Sequence, residues 1–372
     1  MARIPLIRPY ITDEVKRRVL EVLESGYLTE GPVTKELEQA FCNYLGCRHA
    51  LAVTSCTTGL ELALRCLGIG PGDEVIVPDY TYPATASVVA IVGATAVIVD
   101  CTAATMLIDY DALEAAIGPR TKAIIPVSLF GNPLDYARLD EIRRRHGVRI
   151  VEDAACAVGA EYGGRRVGVH ADITVFSLHP RKFITTGEGG IITTDDDGWA
   201  EWMESYKHFG IGRPTDRESV VFERIGTNYK LSNLQAAVGV VQMRHIDALL
   251  ARRRTLAARY VAMLGGLPGL TIPVTTPGGV HSYQSFCVLV PARDRLLTEI
   301  RGLGIEVQIG TYALHRQPAF QPGPQITLRG PLPGSAAAFA GCLALPLFDE
   351  MTDQQQDEVV GALTERLAAV AL

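Results

Sequence analysis

The stretch EVIVPDYTYPATASVVAIVGATAVIVD, residues 74–100, decides how this chain folds. Its ends, Glu74–Pro78 and Thr95–Asp100, are short runs rich in valine and isoleucine, the composition of strands buried on both faces. The span from Ala84 to Val99 is the most membrane-like part of the chain, but it is shorter than the ~20 residues a spanning helix needs. Gly93 also splits it, so it reads as a helix, a turn and a buried strand.

The same alternation extends outward. Upstream, His49–Thr54 reads as a strand and Gly59–Leu67 as a helix; downstream, strands recur at Ala123–Val127 and Arg149–Glu152. Short apolar runs separated by amphipathic helices predict an α/β fold: a mainly parallel sheet with helices on both faces. Before the sheet begins, Thr12 caps a helix with Val15, Val19, Val22 and Leu23 at helical spacing, and Gly26 stops it. A second helix is expected around Val33–Leu45.

The pattern changes after Leu231. A long helical stretch passes through Gln235, Val238, Met243 and Leu250 into Arg252-Arg253-Arg254, a charge run that reads as a solvated helix face. Beyond Pro268 the expected elements are a strand near Ser282–Val290, a helix near Asp294–Leu303, a Pro/Gly-rich loop over 317–334 and a final helix from Asp353. With 372 residues the chain is long for one ordinary core. The expectation is a large domain over 1–245, including the N-terminal helices, and a smaller α+β domain over 246–372.

The net charge of -6 argues against a broad basic face for nucleic acid or an anionic membrane surface. The eight cysteines form no CxxC pair and no compact cluster with histidine, so no metal site is expected. The start, Met1-Ala2-Arg3-Ile4-Pro5, shows no apolar signal region before Arg8. Free thiols in a reducing cytoplasm fit these features.

Of the six lysines, 16, 35, 122, 182, 207 and 230, five lie in polar surroundings that solubility alone explains. Lys182 differs. It follows the apolar run Ile173-Thr174-Val175-Phe176 and precedes Thr185-Thr186-Gly187-Glu188-Gly189-Gly190. A lysine between a strand and a glycine-rich turn can project into a pocket, where burial is expected to lower its pKa and make the amine nucleophilic. A lysine on a surface loop is the plainer reading of that segment alone.

Ser177-Leu178-His179-Pro180-Arg181-Lys182 with Thr186-Gly187-Glu188-Gly189-Gly190 resembles the SxHxxK…GEGG signature of the DegT/DnrJ/EryC1/StrS family of sugar aminotransferases. Glu152-Asp153-Ala154-Ala155-Cys156-Ala157 resembles that family's EDAAQA segment. Gly226-Thr227-Asn228-Tyr229-Lys230-Leu231 with Gln235-Ala236-Ala237 resembles its GxNYR…LQAA segment. The resemblance runs from Gly26-Tyr27-Leu28-Thr29 to Leu345-Pro346-Leu347.

The resemblance implies fold type I of the pyridoxal-phosphate enzymes, an aspartate-aminotransferase-like architecture, with pyridoxamine phosphate as the intermediate form. It implies that Lys182 carries the cofactor as a Schiff base and moves the proton, and that Asp153 pairs with the pyridine nitrogen. It places Ser55-Cys56-Thr57-Thr58-Gly59 and Ser177 around the phosphate, Tyr82 on the ring, and Cys156 beside the phenolic oxygen. Asn228 would reach the phosphate of a neighbouring subunit in a homodimer with shared active sites. Lys230, Tyr312 and His315 would meet substrate, and His179 is a further acid–base candidate. Cys56, Cys156 and Lys230 depart from the family's usual Gly, Gln and Arg.

The implied reaction moves an amino group, from glutamate as the expected donor, to a nucleotide-linked keto-sugar. A dehydratase of the same family carries histidine where this chain has Lys182, which disfavours that chemistry. A cyclitol ketone is an alternative acceptor. A noncatalytic regulator on the same scaffold would have no need of Lys182, Asp153 and a phosphate loop together.

Overall fold

The computed structural model describes residues 3–212 and 219–370; Met1 and Ala2, part of the start read above, lie outside the described residues. The first helix spans Asp13–Ser25. The Thr12 hydroxyl accepts from the Val15 N–H, and Gly26, at φ 70°, ends the helix in the left-handed conformation that glycine adopts without steric cost. The second helix, Pro32–Leu45, starts on a proline whose missing N–H would have had no partner there.

An eight-stranded sheet forms the body of the molecule. In spatial order its strands are His49–Val53, Gly190–Thr194, Ile173–Ser177, Arg149–Asp153, Thr121–Ile124, Glu74–Pro78, Thr95–Val99 and Ile326–Leu328. Gly190–Thr194 runs antiparallel to both neighbours, while the pairs from Ile173–Ser177 onward are parallel. Alternate residues feed two separate cores. Ile76, Val97, Ile124 and Ile150 face one core, whereas Val75, Ile98, Ala123 and Val151 face the other. That period of two along strands covered on both faces is what the continuous Val/Ile runs require.

A third core gathers Leu256, Tyr260, Phe286, Val288, Leu343 and Leu363 from the C-terminal part, with Ile4 from the N-terminal end. Around it lies a small sheet in the order Phe286–Leu289, Cys342–Leu345, Gln308–Ile309. The C-terminal part also reaches back. Ile326–Leu328 pairs in parallel with Thr95–Val99 at the edge of the large sheet, and Tyr312–Ala313 pairs with Tyr80–Thr81.

Three expectations are corrected here. The long helical stretch is two helices, Asn233–Arg244 and Ile246–Leu264, separated at His245. Its arginine run is not a solvated face. Arg253 is 1% exposed and donates to the carbonyls of Tyr283, Gln284 and Leu347. Arg252 binds the carbonyls of Asp349 and Met351, and Arg254 those of His281 and Gly159. Five donors per guanidinium suit this task, since backbone carbonyls turned away from water need partners.

Lys207 is likewise no solubilising lysine. It is fully buried, with Nζ 3.1 Å from Glu30, 3.4 Å from Glu38 and 3.0 Å from Glu204. Burial opposes its charge, but these carboxylates outweigh that and hold the ammonium above its ordinary pKa.

Candidate active site

The carboxyl ends of the parallel strands converge on one edge of the sheet, where open α/β folds place their sites. Asp153 is the last residue of Arg149–Asp153, and Ser177 the last of Ile173–Ser177. Ser55 follows His49–Val53 and caps the helix Cys56–Cys66.

Asp153 is 5% exposed. One carboxylate oxygen accepts from the Thr85 hydroxyl at 2.8 Å, the other from the Ala155 N–H at 3.1 Å. The Cys56 thiol approaches the latter oxygen at 3.9 Å. Burial raises the Asp153 pKa, although Thr85, Ala155, Lys182 and Cys56 work in the opposite direction. Its partners thus offset the cost of burying the charge only in part.

Lys182 lies beside it, its Nζ donating to Cys156 Sγ at 3.1 Å. Burial alone would depress this amine, as the sequence suggests. Cys156, Cys56 and Asp153 outweigh burial, and the net direction is upward.

The loop that carries Lys182 is fixed by groups distant in sequence. Gln284 accepts from the Phe183 N–H at 2.7 Å and donates to the Arg181 carbonyl at 2.7 Å, bracketing Lys182. Gln242 accepts from the Thr185 N–H at 2.8 Å. Arg253 in turn holds the Gln284 carbonyl at 3.1 Å. Gln242, Gln284 and Thr85 have no role in the sequence reading, and Arg253 enters it only as part of a solvated face. For Thr85 the signal was its place in the first turn of the helix Ala84–Ile91, just past the carboxyl end of Glu74–Pro78 and so on the edge where Asp153 ends its strand. For the other three there was none, because each is tied to its partner across a long sequence separation.

At the start of the helix Cys56–Cys66, Ser55 and Thr58 form a capping box. The N–H groups of Cys56 and Thr57 remain, because no intrahelical carbonyl can reach them. Together with nearby hydroxyls they offer an anion cradle at the positive end of a helix. Gly190 presses against this loop: a Cβ there would lie 2.7 Å from the Cys56 nitrogen and from the Ser55 carbonyl group. Backbone atoms cannot yield as a flexible side chain can. Gly190→Ala is therefore expected to displace the cradle and weaken cofactor affinity by about 5- to 150-fold, the equivalent of ~1–3 kcal/mol of overpacking. Absorbance titration with pyridoxal phosphate checks it; unchanged affinity would separate this loop from the cofactor.

The remaining candidates are distributed as follows. Ser177 Oγ accepts from the His179 N–H at 3.3 Å. His179 is turned back on its own loop, with Nδ1 accepting from the Arg181 N–H at 3.2 Å and Nε2 3.9 Å from Glu188. Burial lowers its pKa. Tyr82 is 65% exposed, its ring 6.3 Å from that of Tyr312. Asn228 is exposed and accepts from the Lys230 N–H at 3.4 Å. Lys230 places Nζ 4.7 Å from the Phe209 ring, and burial draws its pKa down. His315 turns away from open solvent toward buried Asp79, with Nδ1 at 2.6 Å and its N–H at 2.7 Å from the two carboxylate oxygens.

Glu152, next to Asp153 but on the opposite face of the strand, is fully buried with Ser128, Tyr136 and Thr174 as partners. Burial pushes its pKa up to about 7 from 4.5, against the pull of those three hydroxyls. An acid with a raised folded-state pKa favours the fold while protonated. That contribution is complete below pH 4.5 and is lost as pH rises through about 7. Glu152→Gln is expected to flatten the fall in stability across this window, as read from urea midpoints at several pH values; an unchanged slope would assign the titration elsewhere.

The buried carboxylate fits a ring that brings a positive charge, the amine fits an aldehyde, and the helix N-terminus fits a phosphate. Pyridoxal phosphate joins all three requirements in one molecule, and the sheet is that of fold type I. The class so defined is the pyridoxal-phosphate-dependent aminotransferases.

The family model for the DegT/DnrJ/EryC1/StrS aminotransferase family matches residues 9–364, and the chain belongs to that family. Among solved structures it is similar to DesV of S. venezuelae, described in complex with a ketimine intermediate, at 36% identity and TM-score 0.92, with 99% of each chain covered. It is similar to the aminotransferase TlmJ of Streptoalloteichus hindustanus at 32% identity and TM-score 0.92, covering 99% of this chain and 100% of the other. It also resembles the sugar aminotransferase Spr1654 of Streptococcus pneumoniae in its PMP form, at 30% identity and TM-score 0.91, covering 98% and 100%. Among the described residues no helix is long and apolar enough to cross a membrane, and no group of His, Cys, Asp or Glu is placed to hold a metal ion.

Proposed function

We propose that this enzyme takes an amino group from an amino-acid donor, L-glutamate, and delivers it to a keto-sugar linked to a nucleoside diphosphate. The observation that carries the proposal is the meeting of Lys182 and Cys156 at 3.1 Å beside the buried Asp153 carboxylate, on the carboxyl edge of the sheet. When bound, pyridoxal phosphate supplies an electron sink for the bond broken at the substrate carbon.

The chain's own groups do the rest. Lys182 Nζ attaches the cofactor, then accepts a proton at its nitrogen and returns it. Asp153, held in place by Thr85 and the Ala155 N–H, keeps a proton on the ring nitrogen. The Cys56 and Thr57 N–H groups, with the Thr57 and Ser177 hydroxyls, hold the phosphate. Tyr82 would cover the ring, and Cys156 would stand near the phenolic oxygen in place of an amide.

Asn228 and Lys230 belong to a segment that runs antiparallel beside Val53, next to the phosphate loop. We assign Asn228 to the partner's phosphate in a homodimer with shared sites, in keeping with its exposure. Lys230 and Tyr312 are assigned to substrate. His315 acts through Asp79, which anchors the segment bearing Tyr312. His179, whose Nε2 lies 3.9 Å from Glu188 and outside hydrogen-bond reach of it, is assigned as the further acid–base group. Free thiols at all eight cysteines suit a reducing compartment such as the cytoplasm.

The test is spectroscopic. Purified enzyme with pyridoxal phosphate is expected to be yellow, to bleach with glutamate, and to regain colour with one member of a panel of dTDP-, UDP- and GDP-linked keto-sugars. Recovery only with a cyclitol ketone, or loss of a sugar hydroxyl without amination, would refute the acceptor assignment.

A further inference from the structure

We propose that Cys156 and Lys182 form an oxidative modification site, a thiol–amine pair that hydrogen peroxide joins through a sulfur–nitrogen bond when the amine is not carrying cofactor. The geometry is particular to this pair. Among the described residues Cys156 is the one thiol hydrogen-bonded to an amine, with Nζ at 3.1 Å from Sγ. None of the other partly exposed thiols among them meets an amine: Cys42 faces the Arg48 carbonyl and the Cys47 thiol, Cys66 the Trp199 carbonyl, and Cys56 the Asp153 carboxylate and the Val175 carbonyl.

Cys156 is itself partly exposed, so a small oxidant can reach it. Cys56 is the competing partner in the same pocket. Burial and the Asp153 charge push its thiol well above the usual range, which keeps it protonated and slow to react.

The chemistry balances with one peroxide. With the shared proton on Lys182, the Cys156 sulfur attacks the O–O bond and is oxidised by two electrons to the sulfenic acid, while the departing hydroxide takes that proton from the ammonium, leaves as water and frees the Nζ lone pair. The lone pair of Lys182 Nζ then attacks the sulfur, the S–O bond breaks, and the departing hydroxide takes a proton from the amine as a second water. Thiol, amine and peroxide thus become an S–N link and two waters. Sulfenic acids condense in this manner with nearby nitrogen nucleophiles. Excess thiol reverses the link, first forming a mixed disulfide with Cys156 and freeing the amine, then regenerating the thiol.

The link itself is independent of the proposed function. Its consequence, a block on cofactor uptake, rests on Lys182 being the attachment residue. Full-length protein stripped of pyridoxal phosphate is treated with hydrogen peroxide, digested with a protease that does not require lysine, and mapped by mass spectrometry. A holoenzyme sample is treated in parallel.

The expected result is a joined pair of peptides containing Cys156 and Lys182, lighter than their sum by two hydrogens and separated by dithiothreitol. It is expected in the stripped protein and not in the holoenzyme. Cofactor uptake, read by absorbance, falls in proportion to the joined fraction and returns with dithiothreitol. Cys156→Ser forms no link, and peroxide leaves its uptake at whatever level that variant shows before treatment; Lys182→Ala leaves Cys156 oxidised but unjoined. A Cys56–Cys156 disulfide, or oxidised Cys156 beside an unmodified Lys182, would overturn the proposal. The link with full cofactor uptake would uphold the modification site and instead overturn the lysine assignment.

Discussion

Lys182→Ala is expected to lower transamination by at least about ten-thousand-fold, because one amine both anchors the cofactor and moves the proton. The fold is expected to survive. The loop around Lys182 is held through backbone groups, by Gln284 at Phe183 and Arg181 and by Gln242 at Thr185, and not through the lysine side chain. Thermal melting within a few degrees of the parent, together with lost turnover in a glutamate-consumption assay, is the result that checks it. A variant that unfolds would assign Lys182 a structural duty; one that turns over would remove it from the chemistry.

The second large effect falls on Asp153→Asn. Asparagine keeps the shape and can retain the Thr85 hydroxyl bond, 2.8 Å in the parent, but carries no charge to hold a proton on the ring nitrogen. Removing one partner of a buried, hydrogen-bonded charge pair costs on the order of 2–5 kcal/mol, so turnover is expected to fall by about 30- to several-thousand-fold.

Stability is expected to move the other way. Burial raises the Asp153 pKa, so the ionised carboxylate disfavours the cofactor-free fold once pH exceeds the ordinary carboxylate range. At neutral pH the cofactor-free Asp153→Asn variant is therefore expected to melt no lower than the parent, and above it where the asparagine amide finds an acceptor. Kinetics and melting measured on the same preparation decide the point. A parallel loss of activity and stability would mean that Asp153 merely holds the fold.

Much of this was legible in the sequence for a physical reason. Val/Ile runs such as Glu74–Pro78 and Thr95–Val99 are wholly or almost wholly buried, so no polar alternation obscures them. Their carboxyl ends then locate Asp153 and Ser177, and a helix start after His49–Val53 locates the anion cradle. Local caps were equally plain: Thr12 and Gly26 bound their helix as read.

What the sequence hid depends on partners far along the chain. Arg253 looked like part of a solvated run because three adjacent arginines carry no mark of the carbonyls at Tyr283, Gln284 and Leu347 that take one of them. Lys207 looked ordinary because two of its carboxylate partners, Glu30 and Glu38, lie 177 and 169 residues before it in the chain. His315 showed no partner in the sequence because the strand pairing of Tyr312–Ala313 with Tyr80–Thr81 is what sets its Nδ1 against Asp79. Lys182 was foreseen as depressed by burial, a rule that omits Cys156, Cys56 and Asp153. In each case one residue type was read from its sequence neighbours while its properties were set by spatial ones.

The central claim is that a single amine, Lys182, bears the cofactor. Borohydride reduction of the yellow holoenzyme, followed by digestion and mass mapping, addresses it without reference to any substrate. The pyridoxyl mass is predicted on the peptide containing Lys182 and nowhere else. Its appearance on another lysine, or a protein left unlabelled after reduction, would contradict the account.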